Sequence, residues 1–408
     1  MILRYAPALV AGTVALVCAR ASLAQSTLVM RAGAAAPQGQ VAGVGLEGVR
    51  IALAAPTGMA PGSAERLVSW DVVARIEGPL SAEAAPFMPL AESMWRARTR
   101  LERGDSLGAE PLFEELFAKY AGQRGPSAAV VCGGLLRCRL MEGAQTGAVA
   151  PFLAYVHALP EEHAAGLAMP SFEPAAAAAV DASTQVAPLL PPVWVNVTSV
   201  QALANASWPL SNQEGVRARA LVLQSLYQQA ARFEAGLPAE TPVLSAEKDD
   251  GVALVGEVVA ARIGNENQRA AARQALAARL KKRPVAWIEV WCRVGIGRSL
   301  LREGSRDAQL LGVSELLEVP ARLERVNAYL TGIALAEAAV ALHTLGDHPG
   351  ATRLRTELND HFAGHPALEW EQLRSWPNYA PPKAAPVLPL PKTTSDDLES
   401  PSINGGPS

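Results

Sequence analysis

Four histidines crowd the C-terminal part of the chain: His343, His348, His361 and His365. Imidazoles ligate zinc, copper or nickel when several share a face. Glu357 and His361 stand i, i+4 and would share a helix face, and His361 and His365 have the same spacing. Gly364 and Pro366 break that second pairing, because both residue types end helices. The spacing therefore predicts surface and capping histidines, with no metal site.

Other strings resemble chemistry and fail on context. Gly43-x-Gly45-x-x-Gly48 has the dinucleotide spacing, yet Val49, Ile51 and Leu53 after it read as a strand, where pyrophosphate binding needs a helix N-terminus. A flexible turn is expected. Ser245-x-x-Lys248 copies one motif of penicillin-binding enzymes without its two companions. Glu114-Glu115 and Glu161-Glu162 are adjacent in sequence, so they do not form an acid/base pair on one face. Lys281-Lys282-Arg283 precedes Pro284 and reads as positive charge at a helix C-terminus. The sequence thus names no catalytic, cofactor-binding or metal residue, and a non-enzymatic role is expected.

Cysteine usage agrees. Cys132, Cys138 and Cys292 are sparse and odd in number, which is no disulfide framework. They read as buried small hydrophobes. A fourth, Cys18, lies in an N-terminal stretch with the features of an export signal. Arg4 supplies the positive charge, residues 7–17 a short apolar run, and Ser22-Leu23-Ala24 a small-residue cleavage site before Gln25. Lipid attachment at Cys18 is the alternative, weakened by bulky Val17. A periplasmic or secreted location follows, with no membrane span after cleavage.

The elements that must position any surface are punctuated by a recurrent turn. Gly104-Asp105-Ser106-Leu107-Gly108-Ala109 recurs as Gly143…Gly147-Ala148 and as Gly346-Asp347-His348-Pro349-Gly350-Ala351. Glycine ends a helix by taking positive φ, and Asp caps the next one. Small Ala lets a neighbouring helix come close. Downstream, Leu112, Phe113, Leu116, Phe117 and Tyr120, and then Leu354, Leu358 and Phe362, run at helical spacing. Tyr120-Ala121-Gly122 and Phe362-Ala363-Gly364 end the two helices at the same distance from their corners. Gly264-Asn265 and Gly304-Ser305 are imperfect copies. Steps between corners are 39, 40 and 42 residues, a repeat-array period.

Ala109-x-x-x-Phe113 and Ala148-x-x-x-Phe152, each set five residues beyond a corner glycine, resemble the tetratricopeptide repeat. The likeness covers roughly 90–160 and 250–365. The first helices lack the family's W-x2-L-G-x2-Y pattern, the period exceeds 34, and Arg355 replaces the last aromatic. The resemblance implies a protein-binding helical solenoid and carries over no catalytic residue.

The expected architecture is mostly α: a helix-hairpin solenoid with a small N-terminal β unit. Its parts are a signal peptide (1–24), a flexible stretch (25–40), a β unit (41–80), N-terminal hairpins (86–159), a Pro/Ala-rich connector (160–210), C-terminal hairpins (211–365) and a disordered tail (377–408). In the β unit Val68, Trp70, Val72, Ala74 and Ile76 alternate with polar neighbours as a half-buried strand. A lone hairpin is marginal, so it must recruit strands or pack on helices. The connector holds seven prolines, and no Lys or Arg occurs between Arg139 and Arg217. Trp194 and Trp208 would be costly to expose, so the connector should tuck them into the helices. Ser211-x-x-Glu214 reads as a capping box opening a helix to about 235.

Half the residues are hydrophobic, 5% aromatic and 18% charged, which suits small-to-small helix packing. A net charge of −3 argues against a nucleic-acid partner. The leading reading is a cell-envelope scaffold or interaction module with a protein or peptide partner. The rivals are an envelope hydrolase with its site between the two helical groups, and a membrane-attached assembly factor.

Overall fold

The computed structural model describes residues 25–31, 37–53, 65–159, 179–206, 218–243 and 249–376 of the chain. The proposed signal, the Ser245-x-x-Lys248 string, Glu161-Glu162, Trp208, the Ser211 capping box and the tail lie outside these residues. Most of the described chain is helical. Short α1 (Ser81–Ala84) leads into α2 (Met88–Glu102), then α3 (Ser106–Tyr120), α4 (Pro126–Met141) and α5 (Gln145–Ala158). Beyond the connector come α6 (Thr198–Ala204), α7 (Ala218–Glu234), α8 (Asp250–Ile263) and α9 (Glu266–Lys281). The chain continues with α10 (Ala286–Leu300), α11 (Arg306–Arg322), α12 (Ala328–Thr344), α13 (His348–His361) and α14 (Glu371–Arg374). None of the described helices is long and apolar enough to cross a membrane.

Successive helices pack on one another from α2 to α5 and from α6 to α13, and α5 packs on α7 across the connector. Alternate helices also touch: α2 with α4, α8 with α10, and α10 with α12. The sequence explains two kinds of helix. In α12 every residue from Tyr329 to Ala339 is buried, and α4, α8 and α10 are buried nearly all round. By contrast α3, α9, α11 and α13 bury only one stripe. Apolar residues on every face require neighbours on every face; a stripe requires one.

The three best corners are built as their residues dictate. Gly104, Gly143 and Gly346 have φ of 80°, 74° and 89°, the left-handed region that favours glycine. Asp105 and Asp347 accept from the backbone N–H of Gly108 and Gly350, each at 2.9 Å. A Cβ on Gly108 or Gly350 would strike that capping carboxylate, which explains the second glycine. Ala109, Ala148 and Ala351 are fully buried. At the imperfect corners Asn265 and Ser305 take over the cap, and Gly264 has an ordinary extended conformation. Lys281 ends α9 as expected.

The N-terminal unit differs from expectation in two ways. The stretch 25–40, read as loose, carries a strand. β1 (Thr27–Met30) pairs antiparallel with β5 (Val73–Glu77), while β2 (Gln40–Gly45), β3 (Gly48–Ala52) and β4 (Glu65–Val68) form a second antiparallel sheet. The glycine string is the β2–β3 hairpin, with Gly45 opposite Gly48. Secondly, the strand expected through 68–76 is interrupted by a 3-10 turn at Trp70–Val72. The turn breaks the alternation, so Val73 is buried and Ala74 only partly, while an irregularity in the β1–β5 register leaves Ile76 buried as expected. It also buries Asp71, which is paired to Arg98 of α2. The Trp70 indole donates to Gly45 O at 2.8 Å and stacks on Phe87 at 5.3 Å, while its backbone N–H donates to Ser127 Oγ of α4 at 3.1 Å. The sheets thus recruit further strands and dock on the first helices.

Glycine also sets helix spacing. A Cβ on Gly134 of α4 would lie 2.3 Å from the Phe113 ring of α3, and one on Gly312 of α11 would lie 2.8 Å from the Gly297 carbonyl of α10. In a solvent-exposed helix Gly→Ala gains about 1 kcal/mol. Gly134→Ala should instead destabilise by about 1–3 kcal/mol through overpacking. Phe113→Leu added to it should recover part of that loss in urea unfolding, as expected when the two positions share one space.

Candidate functional site

The middle of the described connector, residues 186–197, runs largely through the interior of the molecule. Leu190, Val193, Trp194, Val195 and Val197 are buried, and Trp194 packs against Tyr227 of α7 and Tyr329 of α12 with ring centroids 6.4 Å apart in each case. The expected burial of Trp194 is seen. The expectation of an extended connector needs one correction: residues 198–204 form α6, which packs on α7.

A segment without regular structure satisfies only part of its own backbone, here through bonds such as Leu190 N to Ala187 O, so its other buried carbonyls need outside donors. Between Pro188 and Trp194 five side chains supply them. Trp291 Nε1 and Asn327 Nδ2 donate to Pro188 O at 3.0 and 3.1 Å. Tyr227 OH donates to Leu190 O at 2.5 Å and Tyr329 OH to Val193 O at 2.7 Å. Arg298 Nη2 donates to Trp194 O at 2.6 Å. Asn327 also caps α12 through Leu330 N, so one residue starts the helix and holds the connector. Trp291 is therefore core, with its ring fully buried.

Arg298 belongs to a buried quartet of charges. Its Nε donates to Glu337 Oε1 at 2.7 Å and its Nη2 to Glu234 Oε1 at 3.0 Å. Arg262 grips Glu234 from the other side at 2.7 and 3.2 Å. Side chains of Arg298 and Glu337 are each only 3% exposed. Burial alone would raise the Glu234 carboxyl, but Arg262 and Arg298 hold it below the usual range. Burial would lower Arg262, yet Glu234 and Glu337 raise it. Two positive and two negative charges leave the quartet neutral.

Glu234, Arg262 and Glu337 face a cavity of about 430 Å³, whose other polar walls include Asn196, Gln309 and Thr344. An adjoining groove of about 700 Å³ shares Asn196, Gln201 and Glu371 with it. Cavities of this size accept small ligands or a few residues of a peptide. The far wall is the segment 366–376, which contributes Trp370, Glu371 and Gln372. That wall hangs on His365. The imidazole stacks on Tyr329 at 5.3 Å, contacts Tyr329 O through Nε2 at 2.9 Å, and accepts from Ala367 N through Nδ1 at 3.0 Å. Gly332 makes room, since a Cβ there would lie 2.4 Å from the ring. Burial lowers the His365 pKa to about 4, partly offset by the Tyr329 carbonyl.

Of the four C-terminal histidines, then, His365 is a buried cap and His361 is exposed. The pair brought together is one that spacing did not single out: His343 and His348, across the last corner. Among the described residues no group of three or more His, Cys, Asp or Glu is placed to hold a metal. The three cysteines are free and buried, and burial pushes each thiol well above its usual range. Glu114 is bound to Arg139 at 2.7 Å. A carboxyl pair that sequence reasoning missed is Glu110–Glu142; burial and the hydrogen bond to Glu110 raise Glu142 to about 7. The pair links α3 to the second corner, and no sequence signal marks it, because its members are 32 residues apart. The quartet was equally hidden, each member an ordinary helix charge in one dimension. Compared with known proteins, the chain matches no family, no curated protein and no solved structure.

Two outcomes follow. Arg298→Met strands the buried Glu337 carboxylate and the Trp194 carbonyl and leaves Glu234 to Arg262 alone, and should cost about 3–5 kcal/mol. Adding Glu337→Leu should return part of that, read by chemical denaturation as a double-mutant cycle. The pH response of His365 has a definite sign. Its folded pKa lies below the unfolded value near 6.5, so its stabilising contribution is complete above about pH 6.5 and is lost as pH falls toward about 4. The full loss is of the order of 3 kcal/mol. His365→Gln, which cannot titrate, should flatten this part of the Tm-versus-pH curve between those limits.

Proposed function

We propose that the protein is an exported, tetratricopeptide-like helix-hairpin scaffold that holds a segment of a protein or peptide partner. Support for the repeat comes from the recurring corners and from the alternation of fully buried with one-sided helices. Support for export is the Arg4, apolar-run and Ser22-Leu23-Ala24 pattern.

The single observation that carries the binding role is how the chain treats its own connector. Side chains from α7, α10 and α12 hold an irregular segment through its backbone carbonyls. That is the chemistry of peptide recognition: main-chain bonds for affinity and pockets for side chains. The connector fills this part of the surface, so an incoming segment has the polar cavity and groove that open where the connector leaves, at Asn196 and Gln201. Amides, carboxylates and Thr344 there can pair with a partner's backbone and polar side chains.

The hydrolase alternative needs a carboxyl or imidazole free to exchange a proton inside the cavity. Glu234 and Glu337 are held by arginines, both His365 nitrogens are engaged, and the remaining carboxyl of the cavity wall, Glu371, is exposed to water at the edge. The scaffold reading is therefore favoured. The membrane-attached alternative differs only at residues 1–24 and is separated by intact mass of the exported chain.

Filling the cavity tests the site. Thr344 is at its rim and exposed, so Thr344→Trp should leave the fold intact by circular dichroism. Affinity capture from the native envelope should recover a defined partner with the unaltered protein and lose it with Thr344→Trp. Equal recovery with both would exclude this cavity as the partner's seat.

A further inference from the structure

His343 ends α12 and His348 opens α13, five positions apart across the corner at Gly346. The turn brings their rings together, with centroids 4.6 Å apart and the two Nδ1 atoms 3.1 Å apart. Two imidazole nitrogens at that distance face each other with one lone pair to spare: either a proton lies between them, or a metal ion does. With metal–nitrogen bonds of about 2.0–2.1 Å, nitrogens 3.1 Å apart subtend about 100° at the ion, between square-planar and tetrahedral angles. The two nitrogens already stand at a chelating separation.

The surroundings fix the pair. Trp376 stacks on His343 with a centroid distance of 4.3 Å and an interplanar angle of 16°, and Arg355 of α13 lies over the Trp376 ring at 5.2 Å. One ring of the pair is therefore held by the segment that walls the cavity. His348 is exposed, so an ion can reach it from solvent. Asp347, between the two in sequence, is committed to capping Gly350.

We propose that His343 and His348 form a two-point chelate for a borderline divalent transition metal, with Cu²⁺ preferred, that clasps the α12–α13 corner beneath Trp376. Imidazole ligands favour copper, nickel and zinc over magnesium or calcium, and the Irving–Williams order places Cu²⁺ first. No third protein ligand joins them among the described residues, so water completes the coordination and the ion exchanges readily. This inference is independent of what occupies the cavity.

The test uses the full mature chain and metal salts alone. Titration calorimetry should give one Cu²⁺ site per chain, with Ni²⁺ and Zn²⁺ binding more weakly. His348→Ala, at an exposed position that leaves the core untouched, should weaken Cu²⁺ at least tenfold, and His343→Ala likewise. His361→Ala should leave the affinity unchanged. Electron paramagnetic resonance of the Cu²⁺ form should show two imidazole nitrogens, falling to one in either single variant. Trp376→Phe should keep binding but reduce the Cu²⁺-induced fluorescence quench. Unchanged affinity in His348→Ala, or a spectrum without two imidazole nitrogens, would overturn the proposal.

Discussion

A buried carbonyl without a donor costs about 1–3 kcal/mol, and this molecule carries a run of them through its interior. That constraint organises the C-terminal two-thirds of the described fold. Residues 186–197 form neither helix nor strand, yet Val186, Leu190, Val193 and Trp194 are fully buried. The carbonyls of Val186, Ala187 and Val197 are met by nearby backbone N–H groups, and those of Pro188, Leu190, Val193 and Trp194 by side chains of the surrounding helices, which are thereby fixed in position. Tyr227, Trp291, Arg298, Asn327 and Tyr329 sit on three helices and reach one strand of chain. Arg298 is the most demanding of these, because a guanidinium cannot be buried alone. Its planar fork serves the Trp194 carbonyl and two carboxylates at once, which lysine could not do.

The same logic explains why the helices differ. A helix that has the connector on one side, a hairpin partner on another and alternate helices beyond needs apolar residues all round, as α10 and α12 have. α5 is the second helix of its hairpin and would be one-sided elsewhere. Here it is buried on most faces, because the connector cluster covers it. Small residues then set how closely these helices approach. Gly297 and Gly312 bring α10 and α11 to near backbone contact, and Gly332 admits the His365 ring.

What was legible in the sequence is what local chemistry determines. Gly104, Asp105, Gly108 and Ala109 each have one physical reason to be where they are, and the corner reads correctly from them. The β unit was legible only in part. Alternation through Val68–Ile76 assumed an unbroken strand, and nothing local announced that burial of Trp70 and Asp71 would insert a turn and break the pattern at Val72–Ala74. The candidate site was illegible for a different reason. Glu234, Arg262, Arg298 and Glu337 lie on α7, α8, α10 and α12, and each resembles a solvated helix charge until packing of the helices brings them together beside the connector. Long-range electrostatic pairing leaves no periodic signature. The histidine pair at the last corner was missed because i, i+5 is not a helical spacing; it becomes close only when a left-handed glycine reverses the chain.

An internal segment in the groove changes what an interaction surface here can be. The apolar part of the surface is spent on Trp194 and its neighbours, at no translational entropy cost because the segment is tethered. The open part is polar, and its floor is a neutral, mutually saturated quartet. Such a floor offers no unpaired charge to draw a ligand in. It offers donors and acceptors whose orientation is already fixed, which lowers the ordering cost of binding more than it adds attraction. Discrimination would then come from hydrogen-bond matching, since a site built from oriented polar groups penalises a ligand that leaves them unpaired. Selectivity of that kind depends on the wall formed by residues 366–376 staying in place, and that wall rests on one neutral imidazole stacked on Tyr329.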